Sequence, residues 1–192
     1  TLLAETVDGN GDSLLSTLET RRVSELNCSG LGIADLTGIE HFTQLVALNC
    51  ENNELTALDV SGNKLLSEIY CGGNRLATLD LTGLPIKDAE TDTGHVQKLT
   101  GSYTLSDTEN GVGLFDLSQI VGKAHIGSIT EVKGAAYDKE TGIARYSAAV
   151  ETPSYTYSTG SSAVSLTVEF ALDLSKLPKT PFEGCEGRRM VF

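Results

Sequence analysis

Tryptophan is missing from the 192 residues, and there are only four prolines, four cysteines, three histidines and one methionine. Basic residues are also scarce: 14 Lys and Arg stand against 26 Asp and Glu, a formal net charge of −12. That balance leaves no basic face for a phosphate backbone and argues against nucleic acid as a partner. Four cysteines in a chain of this length do not make a disulfide scaffold. No apolar run approaches the roughly 18 residues that a transmembrane helix needs. The opening residues, TLLAETVDGN, offer neither the basic start nor the apolar stretch of a signal peptide. The chain begins at Thr1 rather than Met, which is compatible with a processed protein, a trimmed one or a fragment. No P-loop, dinucleotide fingerprint, HExxH or GxSxG occurs, and His41, His95 and His125 lie in separate segments. With no catalytic constellation in view, the chain reads as a non-enzyme.

What is present is a repeat. VSELNCSGL (23–31), LVALNCENNEL (45–55) and LSEIYCGGNRL (66–76) align on Cys28, Cys50 and Cys71, at spacings of 22 and 21. Apolar residues precede each Cys by two and by five positions: Val23 and Leu26, Leu45 and Leu48, Leu66 and Ile69. Asn53 and Asn74 follow by three, and Leu55 and Leu76 by five. This is LxxLxCxxNxL, a leucine-rich-repeat template with Cys in the third apolar slot. Alternation sends Leu48 and Cys50 inward on a short strand, and the Asn amide can bond buried backbone groups where the chain bends. Each coil buries its face only against the next, so about three coils are needed. TALDVSGNKL (56–65) and ATLDLTGL (77–84) supply a second inward pair per coil, Leu58 and Val60, then Leu79 and Leu81. The first coil instead reads IADLTGIEHFTQL (33–45), a more helical or 3₁₀-like crossing.

The run GIADLTGIEHFTQLVALNCENNELTALDVSGNKLLSEIYCGGNRLATLDL resembles the secreted, leucine-rich-repeat surface proteins of bacteria, internalin-like in a broad sense. The resemblance covers roughly residues 5 to 84. It implies a curved solenoid used for binding, located outside the cell or on its surface, with no catalytic residues to carry over.

Residues 8–19, DGNGDSLLSTLE, fit the EF-hand calcium loop D-x-[DN]-x-[DN]-G-x5-E at all but one fixed position. Asp8, Asn10 and Asp12 fill positions 1, 3 and 5, the Leu14 carbonyl position 7, Ser16 position 9, and Glu19 the bidentate position 12. Ser13 stands where the turn-making Gly belongs, a departure that weakens affinity. Proteins of the resembled group often carry such a loop before the first repeat. The alternative is a metal-free acidic cap, with Asp12 or Ser13 as a helix N-cap.

After Pro85 and KDAETDTG (87–94) the pattern changes to period two. VQKLTGSYTL (96–105), GLFDL (113–117), GSITEVKG (127–134), a hairpin in AAYDKETGIARYSAAV (135–150), SYTY (154–157) and AVSLTVEFAL (163–172) give about seven strands, with a helical turn within FDLSQIVG (115–122). Their spacing suggests an antiparallel β-sandwich of immunoglobulin-like architecture. The expected organisation is a cap (1–22), repeats (23–86), the sandwich (95–174) and a disordered tail (175–192). LPKTP (177–181) differs by one residue from the LPxTG wall-sorting signal; a Pro-rich linker end is the plainer reading.

The three repeated cysteines read as a column of buried thiols, with a rung-to-rung disulfide or a metal site as alternatives. Cys185 lies outside the register and reads as a surface thiol. Outward strand residues line the concave face: Glu25 and Asn27, Asn49 and Glu51, Glu68 and Tyr70. An acidic, amide-rich stripe with one aromatic suits a protein or a glycan; an ordinary solvated face is the alternative. The functional expectation is an extracellular binding or adhesion module with a calcium-held cap, or else a stalk segment of a larger wall-attached protein.

Overall fold

The structure is a computed structural model that describes residues 16–87, 96–109 and 111–177. Among these the chain is mostly β, with several sheets and few helices. Contacts divide it into two units, Thr1–Lys98 with Tyr157–Val168, and Leu99–Thr156 with Glu169–Phe192.

The first unit begins at α1 (Thr17–Thr20). Each sequence repeat then contributes one short strand: β1 (Glu25–Asn27), β2 (Ala47–Asn49) and β3 (Glu68–Tyr70). They form a parallel sheet in that order, with Leu26, Leu48 and Ile69 in register at its centre. These three side chains, together with Cys28, Cys50 and Cys71, are buried as the alternation requires. Leu45, Leu55, Leu66, Leu76, Val60, Leu79 and Leu81 complete the interior, while Leu58 is half-buried. The crossing of the first repeat contains a 3₁₀ turn, Ile39–His41, as its sequence suggested.

Each strand ends in the same way. The position two after the Cys is left-handed in all three repeats: Gly30 at φ 68°, Asn52 at 54° and Gly73 at 69°. Asn tolerates this conformation better than most side chains, and Gly tolerates it freely. The next residue in the second and third repeats is the template Asn. Asn53 Nδ2 donates to the carbonyls of Cys28 (2.8 Å) and Cys50 (3.0 Å), and its Oδ1 accepts from Leu31 N (3.0 Å) and Ile33 N (2.9 Å). Asn74 repeats this one sequence repeat on, donating to Cys50 and Cys71 (both 2.9 Å) and accepting from Leu55 N (3.0 Å). Bends that would strand buried backbone groups are thereby satisfied from within.

The ladder continues beyond the third strand. β4 spans Val96–Thr104, and its second residue, Gln97, is fully buried. Gln97 Nε2 donates to the Cys71 carbonyl (2.9 Å), and its Oε1 accepts from Leu76 N (3.1 Å). Around it, Gly73 N donates to Val96 O and Lys98 N to Asn74 O, each at 2.9 Å. Lys87 N reaches Ser67 O (2.9 Å), just as Ser67 N reaches Val46 O (2.8 Å) one repeat earlier. Residues on both sides of 88–95 therefore continue the hydrogen-bond pattern of the repeats, although Gln97 falls in the segment expected to open the sandwich.

A second corner recurs as DLTG, DVSG and DLTG. Asp35, Asp59 and Asp80 each accept from the amide two residues on, that of Thr37 (2.8 Å), Ser61 (2.9 Å) and Thr82 (2.9 Å). Asn63, in the second of these crossings, donates to the carbonyls of Ile39 (2.8 Å) and Phe42 (3.0 Å) in the crossing before it.

The remaining strands are β5 (Asp107–Glu109), β6 (Val112–Asp116), β7 (Ile129–Val132), β8 (Ala136–Asp138), β9 (Ile143–Tyr146), β10 (Ser154–Ser158) and β11 (Ser165–Asp173). With β4 they make two four-stranded sheets, ordered β4-β11-β10-β7 and β5-β6-β9-β8. Every pairing in the second sheet is antiparallel. β5 is a strand beyond the seven anticipated; Asp-Thr-Glu carries no apolar alternation to announce it. The hairpin of β8 and β9 turns where expected, with Gly142 N donating to Asp138 O (2.8 Å). The anticipated helical turn is α2 (Ser118–Val121). In the second unit Phe170 packs near Phe115 (5.7 Å between ring centres), Tyr155 (6.0 Å) and Tyr103 (6.1 Å).

The expected disordered tail needs correction at its start. Leu177 is buried, and its amide donates to Leu174 O (2.9 Å), so residues 175–177 belong to the fold. The rest of the tail, with most of LPKTP and Cys185, lies outside the described residues, as does His95.

Candidate functional site

The outward face of the parallel sheet is built by register. Because Glu25, Ala47 and Glu68 pair across the three strands, their side chains form one row; Asn27, Asn49 and Tyr70 form the next. Glu25, Asn27 and Glu68 are exposed, and Ala47, Asn49 and Tyr70 are half-buried. Glu51 lies beyond the strand end, where its carbonyl accepts from Gly30 N (2.9 Å), so it belongs to a third row. The sequence reading placed Asn49 and Glu51 as a pair and passed over Ala47, whose methyl leaves a low point between Glu25 and Glu68.

The two amides of the face are less free than sequence alone suggested. Asn27 Oδ1 accepts from Ser29 N and Asn49 Oδ1 from Glu51 N, each at 3.1 Å. Both side chains thus help to close their own strand, which leaves Glu25, Glu68, Glu51 and Tyr70 as the groups most available to a partner.

Behind the face stand the three thiols, none of them in a disulfide and all of them buried. The column of thiols is the arrangement found, and the disulfide alternative is overturned. Desolvation raises the pKa of all three, pushing Cys71 up to about 12 and Cys50 higher still. Such thiols stay protonated and inert at neutral pH. At the opposite corner Asp35 and Asp59 are held below the usual carboxylate range, first by the Thr37 and Ser61 side chains and then by the amides of the same residues.

Of the calcium-loop residues, Asp8, Asn10, Asp12 and Leu14 lie outside the described residues, while Ser16 and Glu19 are placed. Ser16 is the N-cap of α1, a role the metal-free reading had given to Asp12 or Ser13. Glu19 is the third helical residue and completes a capping box: its Oε2 accepts from Ser16 N (2.9 Å) and Ser16 Oγ (2.6 Å). Among the described residues no three His, Cys, Asp or Glu side chains converge as a metal site, and no helix is long and apolar enough to cross a membrane.

Two residues that organise the site escaped the sequence reading. Gln97 carried a faint signal, since Gln97-Lys98-Leu99 parallels Asn53-Glu54-Leu55 and Asn74-Arg75-Leu76. Asn63 carried none, because the other two crossings place Ile39 and Leu84 at its position.

No protein-family model and no curated protein matches the chain. Several solved structures are partial likenesses, three of them as follows. One is the functional domain of InlJ from Listeria monocytogenes, described as including a cysteine ladder, at 19% identity and a TM-score of 0.43, over 83% of this chain and 46% of that one. The others are the CBM51-2 and INT domains of ZmpB from Clostridium perfringens. In complex with GlcNAc they match at 16% identity and a TM-score of 0.38; without it, at 15% and 0.40. Both cover 88% of this chain and 33% of theirs. The chain thus spans less than half the length of each of these three structures.

Proposed function

We propose that this chain is a non-enzymatic, extracellular binding module whose parallel-strand face, the concave face of a short leucine-rich-repeat solenoid, contacts a protein or a glycan. The observation that carries the reading is the in-register presentation of Glu25, Glu68 and Tyr70 on strands fixed from behind by buried leucines, thiols and the Asn ladder. Groups held on rigid elements lose little freedom when they bind, which is what a recognition surface requires. Two four-stranded sheets follow as an immunoglobulin-like spacer or second contact. Arrays of matrix proteins and glycans test the reading: a specific ligand whose binding falls with Tyr70→Ala supports it, and full binding by that variant counts against it.

Residues 8–19 form the calcium site of this proposal. Its support is that Ser16 and Glu19 occupy positions 9 and 12 of the loop, with α1 beginning at Thr17. The capping box pre-orients the Glu19 carboxylate, and bidentate ligation requires Oε2 to release its two Ser16 bonds. Calcium bound there supplies a clamp across the start of the repeats and no chemistry beyond it.

The shortness of the sheet favours a second reading, a stalk segment of a larger wall-attached protein. Three strands offer a narrow surface. Adhesion of the parent protein reproduced by this chain alone removes that reading.

A further inference from the structure

Thr17, Thr20 and Arg21 stand at i, i+3 and i+4 around α1, the spacing that puts three side chains on one side of a helix. They line one wall of a groove of about 510 Å³, and Thr37 to Thr43, with the 3₁₀ turn, lines the other. This is within the size range of small-molecule sites. Ile39 and Phe42 are buried at its apolar floor, while Arg21, Glu40 and His41 are exposed around it.

The charges at this groove are unevenly matched. Glu40 is anchored: its Oε2 accepts from Gly38 N (2.8 Å), and its Oε1 lies 3.8 Å from His41 Nε2. Among the described residues Arg21 has no carboxylate partner, whereas Arg75 pairs with Glu54 (3.3 Å). A guanidinium with no carboxylate partner among the described residues is notable in a chain with 26 Asp and Glu against 14 Lys and Arg. Its planar fork matches a carboxylate bidentately.

We infer that this groove binds a small acidic sugar, a monosaccharide that carries a carboxylate. Arg21 takes the carboxylate through two parallel N–H bonds. The hydroxyls of Thr17 and Thr43 and the carboxylate of Glu40 meet the ring hydroxyls. The apolar floor at Ile39 and Phe42 receives the C–H face of the ring. The inference is independent of the sheet-face reading, since no residue is shared between the two surfaces.

The test is an NMR titration of the whole chain with D-glucuronate, with D-glucose and acetate as the neutral sugar and the bare carboxylate. Saturable shifts at Arg21, His41 and Phe42, with a dissociation constant on the order of millimolar, are expected. Arg21→Gln is expected to weaken binding about tenfold or more, the worth of a hydrogen bond to a charged group. Thr43→Val is expected to weaken it less, and Tyr70→Ala to leave it unchanged. Melting temperatures within error of the parent show that the variants remain folded. Absence of saturable shifts overturns the inference, and so do equal responses to acetate or glucose or undiminished binding by Arg21→Gln. Loss of array binding in Tyr70→Ala with glucuronate binding intact leaves both surfaces standing; array binding and glucuronate binding both intact in that variant contradict the sheet-face reading alone.

Discussion

Gln97 sits on the Cys71 carbonyl as Asn74 sits on the Cys50 carbonyl, with donor–acceptor distances of 2.9 Å in both cases. One ladder therefore runs from Asn53 through Asn74 to Gln97, and its last member belongs to β4 rather than to any of the three sequence repeats. The extra methylene of Gln reaches the same carbonyl from a strand that has come 23 residues on instead of 21.

Gln97→Leu keeps approximate volume but leaves the Cys71 carbonyl and the Leu76 amide without this partner. A loss of about 1–3 kcal/mol is expected in urea unfolding. Asn53→Leu leaves the Cys28 carbonyl and the Leu31 and Ile33 amides without this partner and is expected to lose more. A chain ended at residue 86 lacks Gln97 and is expected to show no cooperative melt. Wild-type stability in Gln97→Leu contradicts the ladder assignment.

The thiols give stability a pH dependence of known sign. Their folded pKa values lie above the unfolded ones, so above about pH 8.5 the unfolded chain loses thiol protons that the folded chain keeps. Stability is complete below that pH and declines as pH rises, by about 1.4 kcal/mol per pH unit for each of Cys50 and Cys71 once unfolded thiols ionise. Replacing both with Ala lowers stability at pH 7 and flattens the slope between pH 8.5 and 10.5, which urea titrations at each pH measure. An unchanged slope refutes it.

Two substitutions of opposite sign probe the remaining packing. Tyr146 is buried with its hydroxyl unpartnered among the described residues, and burial raises its pKa. Tyr146→Phe removes an unsatisfied polar group and is expected to leave stability unchanged or to raise it by about 1 kcal/mol. Gly160 has φ 82°, and a Cβ there meets Thr82 Oγ1 beside the Leu81 N to Thr159 O bond (2.7 Å). Gly160→Ala is expected to destabilise by about 1–3 kcal/mol in thermal or urea melts.

Calcium binding at residues 8–19 is tested by calorimetry and by melts in calcium and in chelator. At a hundredfold excess over the dissociation constant, stabilisation of about 2.7 kcal/mol is expected, and Asp12→Ala abolishes it. No heat and no shift at millimolar calcium leave the Ser16–Glu19 capping box as a metal-free start to the helix.

The repeats were legible because Leu, Cys and Asn recur where a coil must bury a side chain or satisfy a bend. The turn between β8 and β9 was legible for a similar reason: Asp138 and Gly142 are turn residues with fixed tasks. The fourth rung was hidden because Gln replaces Asn after a polar stretch that reads as a linker. Asn63 was hidden because its task occurs in a single crossing. On the outward face, sequence identified Glu25, Glu68 and Tyr70 but misjudged where β2 ends; only pairing shows that Ala47, and not Glu51, shares the row of Glu25.

The central claim is that the outward face of the parallel sheet is the contact surface. The most direct measurement compares affinity for a ligand found on the arrays between two triple variants. One is Glu25→Gln, Glu68→Gln, Tyr70→Ala on the face; the other is Asp35→Asn, Asp59→Asn, Asp80→Asn at the far corner. The account expects about tenfold or greater weakening in the first and little change in the second. Equal weakening in both, or in the corner variant alone, contradicts it.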